Sequence, residues 1–239
     1  MKSPHFKLVV VDLMSVVADS GDVTARLLAT ALSAHRVEAR HDEVRSVVGL
    51  PLRRAVAALF RTGTSLDADA RRVDSVHDEV AAALWAHYAR PSSIREIHGA
   101  TRTLGALRAQ GMRIAMATVM PPSVRDALAS GLSWFDRGLV DTLVGSEQVD
   151  APRPQPGMIL EAMMRTGVVD AKRVIKLGDT PADLAEGTLA GCGMVVGMTR
   201  GLHSHGDLLL RPHTHLIEQI PSLLDLVATS SVGTARMAV

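Results

Sequence analysis

Four short apolar runs along the chain end in small, hydroxylated or acidic residues, and this pattern predicts the strands of a buried sheet. The first run, LVVV at residues 8–11, has no polar alternation and stops at Asp12. Later runs stop at Thr118, at Gly178-Asp179 and at Gly197. Continuous apolar runs are typical of parallel strands, because helices cover both faces of such a sheet.

Helical patterns separate these runs. Residues 100–110 place two leucines on one face and stop at Gly111, and residues 156–166 group their apolar side chains and stop at Gly167. Glycine commonly follows the last turn of a helix. Strands that alternate with helices predict an α/β fold with a doubly wound parallel sheet, similar to the Rossmann fold.

One long stretch interrupts this alternation, from about Gly21 to Ile97. It contains no strand pattern and predicts four helices, at residues 22–35, 41–48, 52–61 and 67–88. A helical block directly after the first strand is an inserted domain. We therefore predict a discontinuous α/β core, residues 1–20 and 98–239, with a helical cap domain at residues 21–97.

Composition and charge exclude several classes of protein. The 239 residues are 47% hydrophobic but only 3% aromatic, so aliphatic side chains must build the core. With 26 basic and 25 acidic residues the net charge is +1, unlike a nucleic-acid binder. The apolar run before Asp12 is too short for a membrane span or a signal peptide. The single cysteine, Cys192, suits a reducing compartment. We expect a cytoplasmic monomer or homodimer without nucleic-acid or membrane partners.

Polar residues with useful chemistry lie where the predicted strands end. In an open parallel sheet, ligands bind beyond the carboxyl ends of the strands. Asp12, Thr118 and Asp179 lie there, and Asp183 follows in the first turn of the next helix. Carboxylates that converge in one crevice repel each other unless a cation lies among them, and Mg²⁺ accepts carboxylates together with phosphate oxygens. A carboxylate beside Mg²⁺ can attack a phosphoryl group.

Each of these residues alone also has an ordinary structural explanation. An aspartate after a strand is often a turn or helix-capping residue, and Arg153 between two prolines is often a solvated loop charge. The chemical interpretation depends on their occurrence together, in order, at strand ends.

In that order, Asp12, Thr118, Arg153 and the segment GDTPAD at residues 178–183 resemble the four-motif signature of the haloacid dehalogenase (HAD) superfamily. The resemblance covers nearly the whole chain. It implies that Asp12 is the nucleophile and a Mg²⁺ ligand, that Thr118 holds a phosphate oxygen, and that Arg153 balances charge. It also implies that Asp179 and Asp183 bind or orient the metal.

The phosphonatase-like branch of that superfamily is the most similar. The segment RPQP at residues 153–156 matches its third motif, AGCGMVVG at 190–197 resembles a late core segment, and VVGLPLRRAV at 47–56 resembles its cap motif. Within that cap motif Arg53 is a candidate substrate-binding residue, alongside Thr118.

The first motif, DLMSVVAD at residues 12–19, departs from the family pattern. Met14 replaces the acid that usually protonates the leaving group, although its backbone carbonyl can still bind the metal. Ser15 and Val16 replace the usual Gly-Thr. The lysine that forms a Schiff base in phosphonatases falls at Leu52, and a neighbouring guanidinium cannot replace it because it does not deprotonate.

We therefore expect a Mg²⁺-dependent hydrolase that transfers the phosphoryl group of a small phosphorylated metabolite to Asp12. Without an acid at Met14 it would need a good leaving group. One alternative is an inactive homologue that binds a phosphorylated ligand or partner. Another is a dehalogenase, against which the Asp179 and Asp183 pair argues.

Overall fold

A computed structural model describes residues 5–17, 20–63 and 69–233, and in these ranges one parallel sheet of six strands forms the core. The strands are β1 (Leu8–Asp12), β2 (Arg113–Thr118), β3 (Thr142–Gly145), β4 (Val174–Gly178), β5 (Met194–Met198) and β6 (His215–Ile217). Their order across the sheet is β3-β2-β1-β4-β5-β6. The α/β fold predicted from the apolar runs is confirmed.

Ten α-helices surround or extend this sheet within the described ranges. They are α1 (Ser20–Ala34), α2 (His41–Val47), α3 (Leu52–Gly63), α4 (Ala70–Tyr88), α5 (Ala100–Ala109), α6 (Pro122–Leu132), α7 (Gly157–Thr166), α8 (Pro181–Leu189), α9 (His205–Leu209) and α10 (Ser222–Gly233). None of the described helices is both long enough and apolar enough to cross a bilayer.

The strand that ends at Asp12 lies in the middle of the sheet. It pairs in parallel with β2 on one side, where Asp12 lies opposite Ala117, and with β4 on the other, where Val11 lies opposite Leu177. The chain order therefore reverses at β1. In open α/β sheets this switch point leaves a crevice beyond the strand ends.

The absence of polar alternation in β1 is explained by burial on both sides. Val9 and Val11 pack into one apolar cluster, and Leu8 and Val10 pack into the other. Successive strand residues point to opposite faces, so both faces of β1 must be apolar. The sheet thereby holds Asp12 at a fixed place at its carboxyl edge.

The stretch between β1 and α5 is helical, as the sequence pattern indicates. Helix α4 packs against α1 and α3 through an apolar stripe of Val73, Val76, Val80 and Leu84, which have the three- and four-residue spacing of one helix face. Asp69 caps α4 by accepting a hydrogen bond from the Arg71 amide at 3.1 Å. The predicted start at Asp67 lies outside the described residues, as do Ala18 and Asp19 of the first motif.

The two connections between these helices and the sheet run side by side. Val17 and Glu96 form an antiparallel bridge, and the Ile97 amide donates to the Val16 carbonyl at 2.9 Å. The chain thus leaves and re-enters the α/β core at one place, directly beyond Asp12.

Candidate active site

Three aspartates converge at the carboxyl edge of the sheet. Asp12 ends β1, Asp179 directly follows β4, and Asp183 lies in the first turn of α8. One carboxylate oxygen from each lies within 4.8 Å of the others, and all three side chains are buried. The neighbouring strand ends bring them together from distant places in the sequence.

The start of α8 orients Asp183. Thr180 is the N-cap residue, and its hydroxyl accepts from the Asp183 amide at 3.2 Å. In return, Asp183 Oδ2 accepts from the Thr180 hydroxyl at 2.6 Å and from its amide at 3.2 Å. A side chain at Gly178 would overlap the Asp183 carboxylate, so this position requires glycine. The reciprocal cap leaves Asp183 Oδ1 facing the interior.

Arg153 reaches the same place from the loop before α7. Its Nη1 lies 2.7 Å from Asp12 Oδ1 and 3.0 Å from Asp183 Oδ1, and its Nε donates to Glu186 Oε2 at 3.0 Å. The side chain is only 1% exposed. Its Nη2 has no hydrogen-bond partner among the described residues. Because Arg153 lines the cavity described below, this buried donor could donate to an oxygen of a bound ligand.

Two further charged residues belong to the cluster, and no sequence motif points to them. Lys176 in β4 places its Nζ 2.9 Å from Asp183 Oδ1 and 3.0 Å from Glu186 Oε2. Both Lys176 and Glu186 are fully buried. The one available signal was a lysine inside an otherwise apolar strand. Its stem packs on Gly187, where an added Cβ would lie 2.9 Å from Lys176 Cβ.

The buried charges do not balance without a cation. The cluster contains four buried carboxylates but only two buried basic side chains. When all six groups are ionised, two negative charges have no buried positive partner. The carboxylates are those of Asp12, Asp179, Asp183 and Glu186, and the basic side chains are those of Arg153 and Lys176. Unpaired buried charge is costly. The donor set is all oxygen, which hard divalent cations such as Mg²⁺ prefer. The residues therefore fit one divalent cation.

The pKa directions agree with this imbalance. Burial, reinforced by Asp12 and Asp183, raises the pKa of Asp179 to about 7. Burial, reinforced by Asp183, also raises the pKa of Asp12. The pKa of Asp183 is lowered in spite of its burial, because Arg153 and Lys176 face it. In the metal-free protein, Asp12 and Asp179 are thus the carboxylates of this cluster that take up a proton more readily than usual.

Ser15 connects those two carboxylates. Its amide donates to Asp12 Oδ2 at 3.0 Å, and its hydroxyl lies 3.2 Å from the same oxygen and 2.6 Å from Asp179 Oδ1. In the sequence, Ser15 is only a departure from the family motif. The structure instead gives its side chain a direct contact with both aspartates.

The other predicted site residues lie in different surroundings. Thr118 is buried at the end of β2 and accepts from the Met120 amide at 3.2 Å, but does not line the cavity. The Met14 carbonyl accepts from the Val17 amide at 3.2 Å. Arg53 is exposed and paired with Asp74 at 2.7 Å, away from the cavity. Its predicted contact with substrate finds no support in this arrangement.

The helical insertion lies directly over the aspartates. Gly49 has a φ of +98°, and a Cβ there would lie 2.5 Å from Thr180 Oγ1, so only glycine allows this approach. Arg45 of α2 hydrogen-bonds the Leu202 carbonyl and lies 3.3 Å from Asp207. These contacts join the insertion to the α/β core.

A small cavity lies between insertion and core. The centres of water-sized molecules can reach a volume of about 40 Å³ within it. Asp12, Arg153, Asp179 and Thr180 form its polar end. Several of the predicted site residues therefore line a cavity between the insertion and the core.

Comparison with known proteins gives one consistent result. Residues 9–196 match the family model described as haloacid dehalogenase-like hydrolase. The chain is 31% identical to a probable phosphatase, IndB, of Dickeya dadantii over 84% of each chain. It is 30% identical to a phosphonoacetaldehyde hydrolase of Bacillus thuringiensis, over 55% of this chain and 48% of that protein.

The fold is likewise shared with solved structures. A putative β-phosphoglucomutase from Bacteroides vulgatus superposes with a TM-score of 0.80 over 96% of this chain and 92% of its own, at 16% identity. At that identity the likeness concerns the fold alone.

Proposed function

Because this chain belongs to the haloacid dehalogenase-like hydrolases, we propose that it hydrolyses a small phosphate monoester through a phosphoryl group carried on Asp12. The observation that supports this most is the buried cluster around Asp12, which is short of two positive charges and opens into a cavity. Such a cluster is costly to bury without a cation, and a bound cation can in turn bind a phosphoryl group.

The proposed hydrolysis takes place in two displacements at phosphorus, in which the residues of the cluster have different roles. In the first, an oxygen of Asp12 attacks phosphorus, the bond to the leaving oxygen breaks, and that oxygen takes its proton from solvent. In the second, water attacks the same phosphorus, and phosphate and Asp12 are released. Ser15 and Arg153 hold the two oxygens of Asp12. The remaining Nη2 of Arg153 can donate to a phosphoryl oxygen.

The proposed reaction also requires a divalent cation. Asp12, Asp179 and the carbonyl of Met14 would hold it, with Asp183 beside them. When bound, Mg²⁺ supplies positive charge to the phosphoryl oxygens. Lys176 and Arg153 fix the opposite side of Asp183, so that this carboxylate keeps its place whether or not the cation is bound.

Phosphonoacetaldehyde chemistry is not proposed, although relatives carry that name. A Schiff base needs a free amine in the cavity, and Leu52 occupies the position where the family has it. The cavity lining contains no lysine in the described ranges. Lys176 is ion-paired beneath the carboxylates and its pKa is raised, because Asp183 and Glu186 outweigh its burial and Arg153.

We expect Mg²⁺ to stabilise the protein more at pH 8 than at pH 5. The pKa of Asp179 is about 7 in the folded protein and about 4 when unfolded, so the metal-free fold holds a proton that the unfolded chain releases. Its stability therefore falls as pH rises from about 4 to 7. At about 100 times the Kd, Mg²⁺ adds roughly 2.7 kcal/mol, or about 5–10 °C in Tm at pH 8.

Thermal melts with and without Mg²⁺ at matched ionic strength measure this. Asp179→Asn is the control, and its Tm should respond little to Mg²⁺ at either pH. Equal Mg²⁺ shifts in wild type and Asp179→Asn would contradict the assigned site.

We expect Met14→Asp to raise turnover of alkyl phosphates about 10-fold. Met14 lines the cavity beside Asp12, and an acid there would protonate a basic leaving group, which contributes on the order of 10²–10⁴-fold in other enzymes. A gain below that range is expected because Ser15 and Val16 set a different local turn. Aryl phosphates, which leave as weak bases, should gain little. Steady-state rates on both ester types with Mg²⁺ measure the difference, and an equal change in both would contradict it.

A second candidate is a binding protein that retains the pocket without turnover. The hydroxyl of Ser15 lies 2.6 Å from Asp179 and 3.2 Å from Asp12, between two of the carboxylates that would hold a cation. Ser15→Gly separates the candidates. If the hydroxyl displaces the cation, this variant gains Mg²⁺ affinity and turnover. If both are unchanged or lower, Ser15 is compatible with the active site.

A further inference from the structure

We propose that the ester cleaved at this site has a small apolar leaving group, without hydroxyl or carboxylate substituents. This inference rests on the proposed phosphatase function and adds the substrate class. It is carried by the division of the cavity into one charged end and one aliphatic wall. The polar lining groups of the core, Asp12, Arg153, Asp179 and Thr180, are gathered at the end where the phosphoryl group would bind.

The opposite wall comes from the helical insertion and is almost entirely aliphatic. Of the nine lining residues that the insertion contributes within the described ranges, seven are Val, Leu or Ala, one is Gly49 and one is Thr24. None is charged, and none is an amide or a histidine. Helices α1 to α4 all supply part of this wall, for example through Leu28, Leu52 and Leu84.

Met14 extends the apolar surface to the reaction centre. It lines the cavity and lies two residues after Asp12, where the family usually has an acid. Val119, Met120 and Leu202 of the core add further apolar surface. The leaving group would therefore meet apolar side chains from its far end up to the oxygen that departs.

The energetics of such a wall select against polar leaving groups. A hydroxyl enclosed there loses its hydrogen bonds to water and gains few in return, which costs about 10-fold or more in affinity. A carboxylate would fare worse, because Arg153 is the one cationic side chain in the described lining and lies at the phosphoryl end. Each buried methylene instead favours binding by about 4-fold.

A matched pair of esters tests this in the Mg²⁺-loaded full chain. The compounds 4-methylphenyl phosphate and 4-(hydroxymethyl)phenyl phosphate have similar size and similar leaving-group basicity, and differ by one hydroxyl. We expect kcat/KM to favour the methyl compound by about 10-fold or more. If both esters turn over with equal kcat/KM, or the hydroxyl compound is better, the inference is wrong while the proposed function stands.

A binding measurement keeps the two proposals separable. Propylphosphonate and 2,3-dihydroxypropylphosphonate cannot be hydrolysed as esters, and calorimetry compares their affinities directly. Tighter binding of propylphosphonate without any ester turnover would overturn the phosphatase proposal and support the apolar pocket. Equal or weaker binding of propylphosphonate would overturn the pocket assignment.

Two substitutions test whether the aliphatic wall of the cavity causes the preference for the methyl compound. Val48→Thr keeps the shape and adds a hydroxyl, and Leu52→Gln adds an amide; both residues line the cavity. Each should reduce the preference for the methyl compound several-fold. The control Leu160→Gln also replaces a leucine by glutamine, but at a half-exposed position on α7. It should leave the preference for the methyl compound unchanged. An unchanged preference in both wall variants, with normal folding by circular dichroism, would refute the assignment.

Discussion

Asp12→Asn is expected to reduce turnover of p-nitrophenyl phosphate on the order of 10⁴-fold or more, the scale on which loss of an enzyme nucleophile acts. An amide is neither a nucleophile nor an anionic metal ligand. The same change removes one of two excess negative charges from the buried cluster. The metal-free variant should therefore be at least as stable as the wild type. Loss of activity together with retained stability would distinguish a chemical role from a structural one.

Steady-state kinetics with Mg²⁺ and thermal melts without it measure both parts of this prediction. Asp136→Asn, at an exposed position after α6, is the matched control and should change neither. Residual turnover within about 10-fold of wild type would mean that Asp12 does not carry the phosphoryl group.

Lys176→Met is expected to lower the free energy of unfolding by about 3–5 kcal/mol, the range found when one partner of a buried ion pair is removed. Lys176 contacts Asp183 and Glu186, and all three side chains are fully buried. Without the ammonium group, Arg153 alone would face both carboxylates. Chemical denaturation of wild type and variant measures the loss.

Lys172→Met is the control, because Lys172 is exposed and lies just before the same strand; its effect should stay within about 0.5 kcal/mol. Adding Glu186→Gln to Lys176→Met removes the stranded carboxylate and should recover at least about 1 kcal/mol. Equal stabilities of the two methionine variants would show that the cluster does not depend on Lys176.

The central strands and the convergence of three aspartates were predictable from the sequence because each follows from a local pattern. An unbroken apolar run such as residues 8–11 has few structural solutions, and the carboxyl ends of parallel strands must meet at one edge. By contrast, β3 at Thr142–Gly145 has only four residues and was not predicted. Its pairing with β2 arises from tertiary contacts that a short pattern does not encode.

The rest of the site could not be predicted because it depends on distances between elements. A lysine in an apolar strand and a glutamate ten residues later give no hint that Lys176 and Glu186 meet at 3.0 Å. The place of Arg53 in a motif predicts a substrate contact, but the direction of a side chain around a helix depends on packing. The structure turns it toward Asp74 and solvent.

The close approach of Gly49 to Thr180 has a kinetic consequence. Together with the contact between Arg45 and Leu202, it joins the helical insertion to the core above the cavity. We expect the insertion to move away from the core when product leaves and substrate enters, and to turn about the paired connections at Val17 and Glu96. For esters with good leaving groups, this opening would limit the catalytic cycle, so that turnover slows as solvent viscosity rises.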